Sequence, residues 1–310
     1  MCEASPGMPY CLELNRMKIA YLINAHCKFK QLERLIGKLN NPNAVVFLHI
    51  DKKVDDSSFT SLKVLLNKYN VKYIKKRVDV IWAGFTQVEA TINGLEEISS
   101  SSMDFDYINF ISGQDYPIKH NEFIQQFLCR NKGFEFIECY EISTCSHAEA
   151  MVRFQRYCLV EKIKNGFVRL NTERALRVLL PKRKVPLGYR TYGGSSWWTI
   201  SADCASYILD FVNKEIKATN FFKLALCPDE TFFQTIIMNS EFNKKVYSNN
   251  LRYINWEKGK VNPRVLTRRD YDDIKCSDKL FARKFDSDLD EEILDKIDSD
   301  TTSNIEIIHN

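Results

Sequence analysis

Glycine is scarce in this chain, 11 in 310 residues, and none falls into the G-x-G-x-x-G or G-x-x-x-x-G-K spacing that cradles phosphate in backbone N–H groups. A kinase-like or dinucleotide-binding function therefore lacks its signature. No serine sits in a G-x-S-x-G elbow, the usual mark of one class of acyl-transfer nucleophile. The five histidines, at 26, 49, 120, 147 and 309, fall at no metal-ligand spacing, and the ten cysteines include no C-x-x-C pair. Zinc or a disulfide framework needs closer clustering, so the thiols read as reduced and mostly buried, in a cytoplasmic protein. No apolar run approaches the ~18 residues required to span a bilayer, and no signal peptide is evident. Charge of one sign is missing too. The 44 Lys and Arg stand against 40 Asp and Glu, a net +4 too small to argue for nucleic acid.

What is present is a globular composition, 45% hydrophobic, in a chain long enough to bury a sizeable core. Its 14 Tyr and 4 Trp suit stacking on a base or a sugar ring. Residues 1–16 show no pattern and read as a disordered extension or a mis-assigned start. From Met17 onward, strand and helix patterns alternate. Residues 18–24 (KIAYLIN), 44–50 (AVVFLHI), 71–74 and 107–111 (YINFI) read as buried strands, with helical spacing over 32–39, 59–66 and 88–98. A Gly turn at 193–194 feeds a further strand and a helix from Ala202, and 246–254 reads as one more strand. Such alternation predicts an α/β fold: one large domain over 17–286, with a mostly parallel sheet covered by helices on both faces. The acidic stretch 287–310 is expected to form a peripheral helix and frayed tail. Ligands of such sheets bind beyond the carboxyl ends of strands, which places His26, Asp51 and Asp115 on the functional rim.

Residues 227–234, CPDETFFQ, put a proline and two acids ahead of apolar residues at helical spacing. Proline fits a first helical turn and acids there face the positive end of the helix dipole. Those residues alone are explained by helix decoration; in a cleft, Glu230 would be placed as a general base. Asp104-Phe105-Asp106 is the type of pair that holds a divalent ion on a sugar-nucleotide diphosphate, but it precedes a strand instead of following one. If no metal is used, fixed cations must meet the diphosphate, and Arg264, Arg268, Arg269, Arg283 and Lys284 concentrate near the C-terminus. The basic middle, residues 145–190, is either a solvated surface or one facing an acceptor or a membrane. Strand alternation sends one of Trp197 and Trp198 inward, so only one of the pair can offer a sugar platform.

YINFISGQDYPIK (107–119), GSSWWTIS (194–201), CPDETFFQTI (227–236), RYINWE (252–257) and LFARKFD (280–286) occur in this order, and LHID (48–51) precedes them. Together they resemble the core-2/I-branching enzyme family, which holds β-1,6-N-acetylglucosaminyltransferases and peptide O-xylosyltransferases. The resemblance spans residues 18–286. It implies a GT-A-like fold, a UDP-sugar donor, inversion at the anomeric carbon and no metal cofactor. It makes Glu230 the base and Lys284 a diphosphate ligand, with Arg264 as the second cation and Arg268 or Arg252 left open. It places Asp51 and Asp115 near the donor nucleotide and Trp256 on the acceptor side; His26 joins the donor rim by its position after the first strand, and Trp198 and Arg153 are further acceptor-side candidates. UDP-GlcNAc leads among the donors, with UDP-xylose and UDP-glucuronate behind it. The expected acceptor is a glycan or lipid-linked glycan, reached by a cytoplasmic enzyme with possible peripheral contact at the inner membrane. A metal-dependent enzyme using Asp104 and Asp106, and a silent sugar- or nucleotide-binding module, are the rival readings.

Overall fold

The computed structural model describes residues 17–144, 148–257, 259–260 and 262–308; the extension over 1–16 lies outside them. The innermost strands are apolar at almost every position, the pattern of parallel strands covered on both faces. β1 (Ile19–Ala25) and β2 (Ala44–Ile50) are buried nearly end to end. Between them α1 (Phe29–Leu39) buries Leu32, Leu35, Ile36 and Leu39, a single stripe at helical spacing. α2 (Asp56–Leu65) is capped by Asp55, which accepts from Ser58 N at 2.9 Å, and leads to β3 (Val71–Tyr73). α3 (Thr86–Ser99) leads to β4 (Tyr107–Ser112). Gly94 lets α3 lie close on β1, because a Cβ there would collide with the Leu22 side chain.

Beyond β4 come β5 (Asp115–Pro117), α4 (Asn121–Arg130), β6 (Glu135–Ile137), β7 (Tyr140–Glu141), α5 (Ala148–Gln155), α6 (Gly166–Leu179) and β8 (Tyr192–Gly193). β9 (Trp198–Ser201), α7 (Ala202–Lys214), α8 (Ile216–Phe222), α9 (Phe232–Met238), β10 (Val246–Tyr247) and β11 (Arg252–Ile254) follow. α10 (Tyr271–Cys276), β12 (Phe281–Arg283) and α11 (Glu292–Ile308) complete the order. The main sheet runs β10-β6-β9-β4-β1-β2-β3. Only β9 is antiparallel to its neighbours in it. A second sheet, β11-β12-β5, stands beside it, with β12 parallel to β11 and antiparallel to β5. Alternate residues of β1 serve two cores: Ile19, Tyr21 and Ile23 pack with α1 and α11, Ala20 and Leu22 with α3, α7 and α9. The expected α/β arrangement, a mostly parallel sheet with helices on both faces, is therefore present.

Three expectations need correction. Residues 246–254 are not one strand: Leu251 turns the chain at φ 60°, so β10 closes one sheet and β11 opens the other. The acidic C-terminal helix is not peripheral, since Ile293, Leu294 and Ile297 are core residues and Asp298 accepts from Tyr116 Oη at 3.0 Å. The thiols are not mostly buried. Among the described cysteines, all free, only Cys204 is buried and Cys276 is exposed.

Arg252, 3% exposed, joins the two sheets. From β11 its guanidinium donates to Phe110 O of β4 at 2.9 Å, Trp198 O of β9 at 3.0 Å and Thr199 Oγ1 at 3.1 Å. Asn109 Oδ1 and Asn250 O accept from it as well. Burial pushes its pKa down, offset in part by the charge of Asp115. Every acceptor it satisfies is neutral, so the group works as a multidentate donor, and at 3% exposed it is shut off from a substrate phosphate even though its Nε has no partner among the described residues; Arg252 leaves the list of diphosphate ligands. Arg252→Met should lower unfolding free energy by roughly 3–5 kcal/mol, read from the urea midpoint, because it strands several buried acceptors at once. Arg252→Lys should recover under half of that, since one ammonium cannot span the set. A loss below about 1 kcal/mol in Arg252→Met would contradict this role.

Candidate active site

Glu230 stands on a tight turn, Pro228–Glu230, that precedes α9 and is separated from it by Thr231, whose backbone (φ −145°, ψ −29°) is neither helical nor extended. The two acids thus occupy a one-turn 3-10 segment, not the first turn of α9 as the sequence suggests. The turn is held at the sheet's carboxyl edge by backbone. Gly194 N donates to Glu230 O at 2.9 Å, and Gly194 lies just ahead of β9, whose Trp198 pairs with Phe110 near the end of β4. Gly194 has to be glycine, because a Cβ would collide with the Glu138 carbonyl oxygen. Cys227 opens the turn at φ 50° and its N–H donates at 3.0 Å to Ala83 O, itself at φ 63°. Two left-handed non-glycine residues bonded to one another are local strain of the kind functional loops retain.

The half-exposed Glu230 carboxylate is paired with the guanidinium of Arg153 on α5. Asp229 beside it points the other way and is buried. Its Oδ2 accepts from Ser196 Oγ at 2.7 Å and Gln87 Nε2 at 3.1 Å, and its Oδ1 has no partner among the described residues. Burial, then the charge of Glu230, push the Asp229 pKa up to about 6. Glu138, which accepts from Asn250 Nδ2 at 3.1 Å, is raised by the same two causes. Burial, followed by the charges of Glu230 and Asp229, pushes the Cys227 thiol up to about 12, which keeps it protonated and excludes it as a nucleophile near neutrality. One half-exposed carboxylate on a cation, backed by buried Asp229 and half-buried Glu138, is therefore the acid–base resource of this edge.

The cationic side is built from β12. Arg283 pairs in register with Asp115, and the next residue, Lys284, is half-buried and forms no ion pair among the described residues. Its carbonyl accepts from Leu266 N at 2.8 Å, while Phe285 N donates to Gln114 O at 2.9 Å just beyond β4. Its charge is felt by Cys27, two residues past β1. Lys284 and the Glu230 turn therefore both hang from loops past the carboxyl end of β4. Trp256, 57% exposed, lies two residues beyond Ile254, which pairs with Arg283, and so stands at the same end of the small sheet. His26 is exposed directly after β1, and Asp51 closes β2 with Oδ1 accepting from Lys53 N at 2.8 Å. His26 and Asp51, the latter 6% exposed, thus follow the carboxyl ends of β1 and β2, and Lys284 and Trp256 stand past the ends of β12 and β11.

Other candidates move. Trp198 is 0% exposed, in the core against Phe233 and Phe110, so it offers no sugar platform. The outward member of the pair is Trp197, whose ring lies 4.3 Å from the Arg283 guanidinium. Asp115 is also 0% exposed; it accepts from Ser112 N at 2.8 Å and faces Arg283 Nε at 3.7 Å, beneath the rim instead of on it. Arg264 is engaged by Asp270, with Glu257 at 3.8 Å, and Arg268 by Glu292. Arg153 serves Glu230 instead of standing apart on the acceptor side. Asp106 accepts from Lys18 N at 2.8 Å and Lys132 Nζ at 2.9 Å, at the amino edges of β1 and β4 and so across the sheet from Glu230. A cavity of about 420 Å³ lies elsewhere, between α4, α10 and α11 around Lys119 and Tyr271, and contains none of the rim residues. Buried Asp229 and half-buried Glu138, with Ser196 and Gln87, escape a sequence reading because their value lies in their surroundings.

The Core-2/I-Branching enzyme family model matches residues 19–277. The chain belongs to that family. Relatives include xylosyltransferase oxt of Drosophila melanogaster, 24% identical over 307 residues that cover 91% of this chain and 33% of that protein. Xylosyltransferase 1 of Mus musculus is 24% identical, covering 94% and 31%, and xylosyltransferase 2 of Homo sapiens is 26% identical, covering 91% and 33%. The chain thus spans about a third of the length of the curated relatives it matches. Mouse xyloside xylosyltransferase 1, in its apo form, has a TM-score of 0.38 at 11% identity over 85% of this chain and 97% of that one, too low to carry weight. Among the described residues of this family member, no helix is long and apolar enough to cross a membrane.

The buried Asp229 gives this edge a pH signature. An acid whose folded pKa is about 6 against an ordinary 3.8 imposes no penalty below about pH 4, and the full penalty above about 6. Asp229→Asn does not titrate, so its Tm relative to wild type should rise between pH 4.5 and 7.5 in thermal melts. A pH-independent difference would show that Asp229 is not held protonated by its surroundings.

Proposed function

We propose that this chain is an inverting, metal-independent glycosyltransferase that moves a sugar from a UDP-sugar to a hydroxyl acceptor. The observation that carries the reading is Glu230: a carboxylate on the carboxyl rim, fixed by its own backbone and oriented by Arg153. A sugar hydroxyl is a weak nucleophile. Glu230 accepts its proton as the oxygen bonds to the anomeric carbon, a role worth about a hundred- to ten-thousandfold in rate. The bond from that carbon to the β-phosphate oxygen breaks, and UDP leaves with the electron pair. Lys284, free of carboxylates among the described residues, meets the charge where it develops. Base and cation on separate loops favour a single displacement from opposite faces, hence inversion. Trp256 is exposed where it can stack on a pyranose, and Arg264 would join the diphosphate only by leaving Asp270.

Relatives carrying the matched segment are named xylosyltransferases, which moves UDP-xylose level with UDP-GlcNAc as the donor and keeps UDP-glucuronate behind them. The acceptor is proposed as a glycan or lipid-linked glycan. A metal-dependent route through Asp104 and Asp106 is disfavoured by their place at the amino edges of the strands.

Donor hydrolysis and transfer, assayed as UDP release in EDTA, should persist in the purified chain with one of these donors. Glu230→Gln should lower turnover by about 10² to 10⁴ and Lys284→Ala by at least tenfold, while the double variant D104A/D106A stays within about twofold of wild type. Turnover that requires Mn²⁺ and is lost in D104A/D106A would overturn the reading.

A further inference from the structure

α6 buries none of its residues, although six of its fourteen side chains are large and apolar or aromatic. Phe167 is 79% exposed, Val178 85% and Leu179 76%. Phe167 and Val178 are eleven residues apart, three helical turns, and so crown one outward line of the helix. This is no frayed segment. Asn165 caps it, accepting from Val168 N at 3.1 Å, and both ends are tied to the body. Glu173 accepts from Leu159 N at 2.7 Å on the inward side. Arg183 donates to Leu224 O at 2.8 Å and lays its guanidinium 4.1 Å from the Phe221 ring. The fold thus draws the acid inward while Lys162, Lys164, Arg174, Arg177, Lys182 and Lys184 are left exposed around the apolar crown.

The charge of this element decides its partner. Residues 162–184 hold eight Lys and Arg against one acid, a net +7, whereas the whole chain carries +4. The remaining residues are therefore net −3 in sum, so this one segment carries more positive charge than the whole chain. A second copy docked here would set +7 against +7. A nucleic acid or acidic polysaccharide would use the cations and leave Phe167, Val178 and Leu179 without purpose. An exposed apolar line ringed by lysine and arginine is matched by a surface with negative headgroups over an apolar interior.

We propose that α6 and its flanks dock this protein on an anionic lipid bilayer, with Phe167, Val178 and Leu179 inserted at the headgroup boundary and the flanking lysines and arginines on the headgroups. The anchor points lead to the rim: Arg183 holds Leu224, and Leu226 N donates to Arg153 O at 3.2 Å, one residue before Cys227 and the Glu230 turn. A consequence, which rests on the glycosyltransferase reading, is that a lipid-anchored acceptor reaches Glu230 along the membrane plane. Lipid binding itself needs no turnover and stands or falls separately.

Co-sedimentation of the full chain with phosphatidylglycerol/phosphatidylcholine vesicles tests this against pure phosphatidylcholine. At low salt the anionic vesicles should bind at least tenfold more tightly. F167S/V178S, which leaves the charge unchanged, should lower that affinity at least tenfold, and K182Q/K184Q should remove much of the anionic preference. Both variants should keep wild-type melting curves and wild-type UDP release, since none of these residues belongs to the rim. Equal binding to both vesicle types, or anionic binding indifferent to F167S/V178S, would overturn the proposal, the latter pointing to a soluble polyanion. So would a dimer in sedimentation velocity that F167S/V178S dissolves while vesicles go unbound.

Discussion

A single buried guanidinium holds the two halves of this molecule in register. Arg252 reaches from the small sheet into the main one and gathers acceptors from β4 and β9. The loop beyond β4 and the Gly194 loop ahead of β9 are the supports of Asp115 and Glu230. The strand beside Arg252, β12, leads directly into Lys284. Base and cation therefore share one scaffold whose alignment runs through hydrogen bonds to backbone carbonyls, interactions that side-chain drift cannot easily loosen. A hydrophobic contact could join the sheets but would not set their register, because it lacks direction.

Electrostatics at the rim follow a division between exposed and buried. Asp229 and Asp115 are buried, Glu138 and Arg283 partly so, and all four position others. Asp229 ties the turn to Ser196 and Gln87, and Asp115 faces Arg283, whose guanidinium lies against Trp197. Glu230, Lys284, His26 and Trp256 keep exposed surface. The arrangement leaves one carboxylate and one lysine available for chemistry and commits most of the remaining charge nearby to architecture.

Much of the fold was legible because buried parallel strands are written as continuous apolar runs; residues 18–24, 44–50 and 107–111 could hardly be anything else. The short strands were not. β5 and β12 are three residues each and owe their existence to pairing with one another, information that no local window contains. The turn at Leu251 was hidden because its αL conformation is imposed by context on a residue that does not favour it. Alternation limited Trp197 and Trp198 to one outward ring, but the phase depends on the register of β9 against β4, which decided for Trp197. Glu230 and Lys284 were legible through their motifs. Arg252 was misjudged as a ligand candidate because an arginine that satisfies carbonyls and one that awaits a phosphate look alike in sequence. The acidic helix was misjudged because charge on its outer face masks three buried apolar residues, Ile293, Leu294 and Ile297.

The central claim is that the carboxyl edge of the sheet is a nucleotide-sugar site in which Lys284 meets the diphosphate and Glu230 the acceptor. Calorimetric titration of UDP in EDTA addresses it most directly, with wild type, Lys284→Ala and Glu230→Gln side by side. The account predicts binding to wild type and Glu230→Gln with equal affinity, weakened at least tenfold in Lys284→Ala. Equal affinity in all three, or binding only with added Mn²⁺, would contradict it.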